Sequence, residues 1–409
     1  MSAVAAHDAY AALRVPNFRW FIASTMAMTL GAQLQGTVVA WQVYALTRDP
    51  LSLGLIGLAE ALPFISVALF AGHVADRASR RRISLAALLG CSLALLALTV
   101  RPFASQPAQL IAMYTVIVVS GVARSFLQPA RTALGAELVP RSTYANAVAW
   151  RSSTWQLAAV LGPAVGGVLY GFVSATAAYA VDAALMGVAL ACMAAIAHAP
   201  RAPGPAGSVR ESLTSGLRFV LGNQVILGAL TLDLFSVLFG GAVALLPVFA
   251  AEILHVGPQG LGLLRSAPAV GAVLMSLMLA HRRPFRRAGR ALLVAVALFG
   301  LCMVGFGVST SFPLSLALLA ASGMADTVSV VVRGTLLQLL TPEHLLGRVS
   351  AVNSIFIGSS NEIGAFESGV AAKLLGTVPS VVLGGLATLG VVAATAIKAP
   401  ELRRLEEIR

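Results

Sequence analysis

The sequence is poor in charge. Only 11% of its 409 residues are Asp, Glu, Lys or Arg, whereas about a quarter is usual in a soluble domain. Acidic residues are the scarcer kind, with 16 Asp and Glu against 28 Lys and Arg and a net charge of +12. With 58% apolar residues the chain has too few polar side chains for a water-facing surface, which excludes a large soluble domain.

Cysteine and histidine are also few. Cys91, Cys192 and Cys302 lie far apart in apolar stretches, so no disulfide framework and no metal-ligand spacing is predicted. The six histidines are dispersed, and no nucleophile sits in a pattern with a base. We therefore expect no metal, no cofactor and no enzyme activity.

Long apolar stretches are what the chain does contain. About twelve of them are long enough to cross a hydrocarbon core of about 30 Å. They show no short alternating pattern, which disfavours a membrane β-barrel. The predicted spans are 18–46, 51–73, 83–103, 107–127, 144–170, 175–197, 225–251, 259–280, 291–309, 312–336, 349–375 and 379–397.

The basic residues gather in alternate loops. They cluster near the N-terminus, in 77–82, 131–141, 201–218 and 282–290, and in the tail. This is the positive-inside pattern, so both termini are predicted to be cytoplasmic. The positive charge then reflects topology and contact with anionic lipid, and a nucleic-acid partner is not expected.

The chain repeats itself after about 200 residues, and some charges change sign. Glu60 is matched by Arg265 about 205 positions later, and Arg124 by Asp326 about 202 positions later. Parallel repeats across an apolar chain are typical of membrane carriers. Six spans fall on each side of a Pro- and Gly-rich stretch, so we predict a bundle at 1–197, a cytoplasmic linker with a surface helix at 198–222 and a second bundle at 223–409.

A loop motif connects the second and third predicted spans. The segment from Gly72 to Arg82 resembles the loop signature of the major facilitator superfamily, with Val74 and Ser79 as departures. Its carboxylate can cap a helix N-terminus and its arginines can bridge to acids. The cytoplasmic gate residues that this resemblance implies are Gly72, Asp76, Arg77 and Arg81.

The fifth span carries a second motif. Gly162, Pro163, Gly166 and Gly167 resemble the signature of proton-coupled exporters in the same superfamily, with Ala158 in place of the first glycine. Proline removes a helical hydrogen bond, and glycines let a partner helix approach closely. Export is what the resemblance implies, while an ordinary kinked packing helix remains open.

Charged residues within the spans are the strongest internal signal. Each is costly in a bilayer, so such residues usually face a cavity and have a role. Glu362 and Glu367 are five residues apart and should point to different faces. The predicted substrate and proton pathway comprises Glu60, Arg124, Gln128, Asp233, Arg265, Asp326, Arg333, Glu362 and Glu367, and its acids are candidates for carrying a proton.

The second half resembles one branch of the superfamily. Residues 225–250 and 320–370 are similar to the branch that contains the bacterial enterobactin exporter. The resemblance implies that the first, fourth, seventh and tenth spans line a cavity, which adds Gln33, Gln35, Trp41 and Phe235 as lining or stacking candidates.

The sequence as a whole predicts an all-α, multi-pass inner-membrane protein with the major facilitator fold of two six-helix bundles. We expect a monomeric, proton-driven exporter of a small molecule such as a siderophore or drug, working by alternating access. A proton-coupled importer of a metabolite or sugar is the main alternative. A channel is less favoured because the charges are scattered rather than arranged along a pore.

Overall fold

The computed structural model describes residues 8–77, 79–100, 105–197, 209–240, 242–281 and 287–405. Within those ranges the regular structure is helical, and no strand occurs. The prediction of an all-α protein is confirmed for the described residues. The first half contains α1 (Pro16–Thr47), α2 (Pro50–Arg77), α3 (Arg80–Val100), α4 (Gln106–Glu137), α5 (Tyr144–Phe172) and α6 (Ala175–Ala194).

The second half begins with an amphipathic helix, α7 (Val209–Gly222). Its spans are α8 (Gln224–Phe239) continued by α9 (Ala242–Val248), then α10 (Gly257–Ala280), α11 (Ala288–Val308), α12 (Phe312–Leu340), α13 (Glu343–Leu375) and α14 (Thr377–Lys398). A short helix, α15 (Pro400–Arg404), follows. Helix α7 packs on α8 and α13, and Arg348 of α13 donates a hydrogen bond to Ser215.

Side-chain caps and glycines fix several helix ends. Ser174 accepts a hydrogen bond from the Ala177 amide at the start of α6, and Asn223 does the same for two amides of α8. These bonds satisfy amides that have no partner within the helix. Gly376, at a φ of 93°, allows the tight connection between α13 and α14, a backbone conformation that glycine adopts without steric cost.

Nine helices in the described ranges are long and apolar enough to cross a membrane by length and composition. Helices α1, α2 and α13, which have 32, 28 and 33 residues, bring the long helical spans of the described ranges to twelve. Large apolar side chains such as Phe70, Ile111 and Leu274 are exposed on the outside of the bundle. Such a surface suits lipid and does not suit water.

The two halves touch at the end of the bundle opposite to the termini. There α2 crosses α13 and α5 crosses α10 with glycine against glycine, so that a Cβ added to Gly54 would lie 3.0 Å from the Gly369 Cα. Lys373 Nζ lies 2.8 Å from Asp49 Oδ2 across the same end, and the Tyr44 hydroxyl donates to Glu252. These contacts close that end of the molecule.

The Asp49–Lys373 contact lies in and beside the loop between α1 and α2. The hydrogen bond from Lys373 lowers the pKa of Asp49, with a smaller contribution from the Leu51 amide. The contact is therefore retained at neutral pH and weakens only as the pH falls through this lowered pKa. Because Lys373 is half exposed, we assign it little stabilising energy.

Candidate functional site

A cavity of about 610 Å³ lies between the two halves. Residues of α1, α2 and α5 line it from the first half, and residues of α8–α13 from the second. The cavity lies closer than the glycine crossings do to the end of the bundle that carries the chain termini. In α5, α10 and α13 the lining residues are on that side of the crossing glycines. This size suits a small organic ligand.

Glu60 of α2 is at the centre of a charged cluster. Arg124 Nη2 of α4 lies 2.9 Å from Glu60 Oε2. Glu60 lines the central cavity, and it also lines a smaller adjoining cavity of about 70 Å³ together with Arg124. The Arg124 side chain is 45% exposed because it faces this internal space.

The second half completes this cluster. Glu362 of α13 lines the central cavity with Glu60 and lies within electrostatic reach of both Glu60 and Arg124. Arg265 of α10 lies within electrostatic reach of Glu60, and its Nη1 donates to the Gly36 carbonyl of α1 at 3.2 Å. Two carboxyl groups and two guanidinium groups from both halves therefore meet at one place.

A second ion pair lies deeper in the second half. Arg333 of α12 pairs with Asp233 of α8, and their side chains are only 5% and 9% exposed. Asp233 also lines the central cavity, so the pair forms part of its wall. An ion pair this well buried needs both partners, because removing either leaves an uncompensated charge.

Asp326 reaches the cavity without such a partner. It lines the central cavity beside Gly323 and Ser329, and no ion pair of Asp326 occurs within the described ranges. Arg124 and Asp326 occupy matching positions of the internal repeat and carry opposite charges. Both face internal cavities, and neither faces lipid or a loop.

Several predicted residues lie elsewhere. Gln128 is exposed on α4 and is not among the residues that line either cavity. Glu367 is half-buried next to Ser368, away from both cavities, as its five-residue spacing from Glu362 predicts. Trp41 packs in an apolar cluster of the second half, and Phe235 stacks on Phe239.

The described contacts of the loop motif stay within the first half. Arg80 pairs with Glu137 at the end of α4, and Arg81 donates to the Ala194 carbonyl at the end of α6. The side chains of Gly72, Asp76 and Arg77 lie outside the described part of the chain, so the predicted gate stays a prediction.

The glycines of the fifth span pack α5 between two helices. Gly162 and Gly166 lie against the backbone of Leu30 and Leu34 in α1. Gly167 lies on the opposite contact, where an added Cβ would be 3.0 Å from the Gly262 Cα of α10. Pro163 is buried within the helix. The motif thus brings α5 close to α1 and to the other half at once.

The structure identifies two residues that the sequence did not single out. Trp155 of α5 lines the central cavity with 56% of its surface exposed. Asp182 of α6 is fully buried beside Gly31, and both of its carboxyl oxygens lack a hydrogen-bond partner. The depth of Asp182 depends on helix packing that no local pattern in the sequence shows.

A family model described as "transmembrane secretion effector" matches residues 7–408. Among curated proteins, the chain is 25% identical to the enterobactin exporter EntS of Shigella flexneri and 26% identical to that of Citrobacter koseri. Each alignment covers 393 residues, which are 96% of this chain and 94% of the relative.

Solved structures with similar folds are also transporters. A peptide transporter of the POT family in complex with sulfate superposes with a TM-score of 0.73 at 14% identity, covering 96% of each chain. A bacterial homologue of the human lysosomal transporter Spinster, solved facing inward, gives 0.69 at 14% identity, over 95% of this chain and 96% of that one. At these identities the likeness shows the fold alone.

Proposed function

The chain belongs to the transmembrane secretion effector family, within the major facilitator superfamily, and we propose that it is a proton-coupled exporter of a small organic molecule. Membership makes it a multi-pass transporter of the bacterial inner membrane. The curated relatives that it matches along nearly their whole length are named as exporters. Because these relatives are named for enterobactin, a siderophore is the first substrate class to test and a drug is the second.

The observation that carries the proton coupling is the placement of Glu60 and Glu362 at one cavity. These carboxyl groups come from different halves and lie within electrostatic reach of each other. Two adjacent carboxyl groups cannot easily both be charged, so the pair is suited to hold and release a proton. Since Arg124 and Arg265 adjoin the same pair, a change of its charge alters the attraction between the halves.

This arrangement supports an alternating-access cycle. Protonation of Glu60 and Glu362 weakens their attraction to the arginines, and loss of the proton restores it. A cavity closed at the end opposite to the termini is loaded from the cytoplasm if both termini are cytoplasmic, as the basic loops predict. Substrate then leaves on the other side while a proton enters.

The test is transport by purified protein in liposomes with an imposed pH gradient, using enterobactin and ethidium as probes. Glu362→Gln mimics the protonated carboxyl group, so we expect gradient-driven transport to fall about tenfold or more, the size typical for losing a positioned proton carrier. Exchange of probe at equal pH should persist, because it requires no net proton movement.

Glu367→Gln is the matched control, since it removes a carboxyl group from the same helix outside the cavity. If Glu362→Gln and Glu60→Gln both keep their response to the gradient, proton coupling through this pair is wrong. Accumulation of probe in the same direction as the proton flow would instead favour the importer.

A further inference from the structure

Arg131 of α4 has an unusual partner. Its Nη1 lies 3.1 Å from the sulfur of Met28 in α1. A thioether is a weak acceptor and carries no charge. Arg131 is only half-buried, and within the described ranges no carboxylate pairs with it. Its positive charge is therefore uncompensated within the part of the chain that the structure describes.

Arg151 of α5 brings a second positive charge to the same place. The side chain reaches across to α4, where a Cβ added to Gly135 would lie 3.6 Å from Arg151 Nη1. Gly135 is one helical turn beyond Arg131, and the two guanidinium groups repel each other. No acid pairs with Arg151 in the described residues either. Two like charges held together without a counter-ion indicate that an anion comes from outside the protein.

The second half shows what the first half lacks. Arg131 is repeated as Arg333, and Met28 falls 205 positions before Asp233. In the second half this arginine is neutralised by the buried aspartate. In the first half the same arginine contacts a methionine and a second arginine. The scaffold that holds an internal ion pair in one half thus leaves a place for an anion in the other.

Helix geometry connects this place with the cavity. Arg131 lies two turns from Arg124 on one face of α4, and Arg151 lies one turn before Trp155 on one face of α5. Arg124 lines the smaller cavity and Trp155 lines the central cavity. A molecule bound to the two arginines would have the exposed indole of Trp155 one helical turn away along α5.

We propose that Arg131 and Arg151 form an anion subsite for the transported molecule, which carries a carboxylate, phosphate or phenolate group on an aromatic body. Guanidinium groups bind such oxygens through charge-assisted hydrogen bonds. This assignment deepens the proposed function by naming the substrate class. A lipid headgroup offers the same chemistry, and the experiment separates the two sources.

The test measures binding of radiolabelled benzoate by equilibrium dialysis, with the protein in phosphatidylcholine nanodiscs and no pH gradient. Met28→Asp places a carboxylate where the second half has Asp233. This carboxylate should pair with Arg131 and so compete with an external anion. We expect benzoate binding to weaken about tenfold in Met28→Asp and in Arg151→Gln, the loss of about one charge-assisted contact. Met28→Asn, with the same shape and no charge, should stay near the wild type, and neutral benzamide should bind to none of them.

Three results would overturn the subsite. These are equal benzoate affinity in wild type and both charge variants, failure of the wild type to discriminate benzoate from benzamide, and abolition of benzoate binding by phosphatidylglycerol in the nanodisc. The last result would assign the site to a lipid headgroup. If Met28→Asp does not fold, Arg151→Gln decides alone. The binding assay uses no pH gradient, so its outcome is independent of proton coupling. Proton coupling can fail in the liposome assay while benzoate still binds, and benzoate binding can fail while transport still follows the gradient.

Discussion

The two halves of the molecule treat the same arginine differently. Arg333 in the second half is buried against Asp233, whereas Arg131 in the first half faces Met28 and Arg151. The repeat keeps the arginine and the helix that carries it, and changes only its surroundings. One half thus uses the charge to hold its own helices together, and the other leaves the charge available.

The charge swap at the cavity follows the same logic. Arg124 of the first half pairs with Glu60, while its counterpart Asp326 lines the cavity without an ion pair in the described ranges. Identical scaffolds let two bundles move about a shared centre. Opposite charges at matching positions make the cavity asymmetric, because a ligand then contacts different groups on its two sides.

The largest effect should come from breaking the internal pair of the second half. Arg333→Gln leaves Asp233 buried without its partner, which typically costs about 3–5 kcal/mol. Arg131→Gln is the matched change in the first half and should cost far less, because no described acidic residue pairs with Arg131. Thermal unfolding in detergent measures both. A similar fall of the melting temperature in the two variants would contradict the distinction between the halves.

A smaller but specific effect is expected where the halves cross. Gly262→Ala would place its Cβ 2.5 Å from the Pro163 carbonyl oxygen, so α5 and α10 must separate. We expect slower transport of the liposome probes together with a lower melting temperature.

Gly390→Ala on α14 serves as the control, because no atom lies within 4 Å of its added Cβ. Alanine is favoured over glycine within a helix, so this variant should be neutral or slightly more stable. Unimpaired transport by Gly262→Ala would mean that the close crossing is not needed for movement.

The smallest effect concerns the ion pair across the closed end. Lys373→Gln removes an exposed contact worth at most about 1 kcal/mol. The pKa of Asp49 should then rise toward its ordinary value, since the lysine is the first cause of its lowering. Thermal stability of the wild type should fall as the pH drops through the lowered pKa, and this acid loss should be smaller in Lys373→Gln. Identical pH profiles of the two proteins would show that the Asp49–Lys373 ion pair does not stabilise the closed end.

Much of the architecture could be predicted from the sequence, and less of the site. Twelve apolar stretches and a parallel repeat specify the bundles, because a bilayer leaves a chain little choice but to form helices. The repeat also identified Glu60, Arg124, Arg265 and Asp326, since sign changes stand out against a constant background.

What could not be predicted depends on how the helices are rotated against one another. That Glu362 meets Glu60 is a matter of tertiary packing between distant segments. Trp41 and Trp155 look alike as aromatic residues in spans, yet only Trp155 lines the central cavity. Met28 gave no signal at all, because an apolar residue in an apolar helix becomes informative only when an arginine is found beside it.

The packing of α7 has a consequence for the control of transport. This helix follows the first half in sequence, but its contacts are with α8 and α13 of the second half, and Gly216 lies directly against the backbone of Arg348. In a rocking cycle it therefore travels with the second half as a handle on its surface. A protein that binds α7 would act on one half alone and would change the rate of transport without touching the cavity; the basic loops predict that it would bind from the cytoplasm.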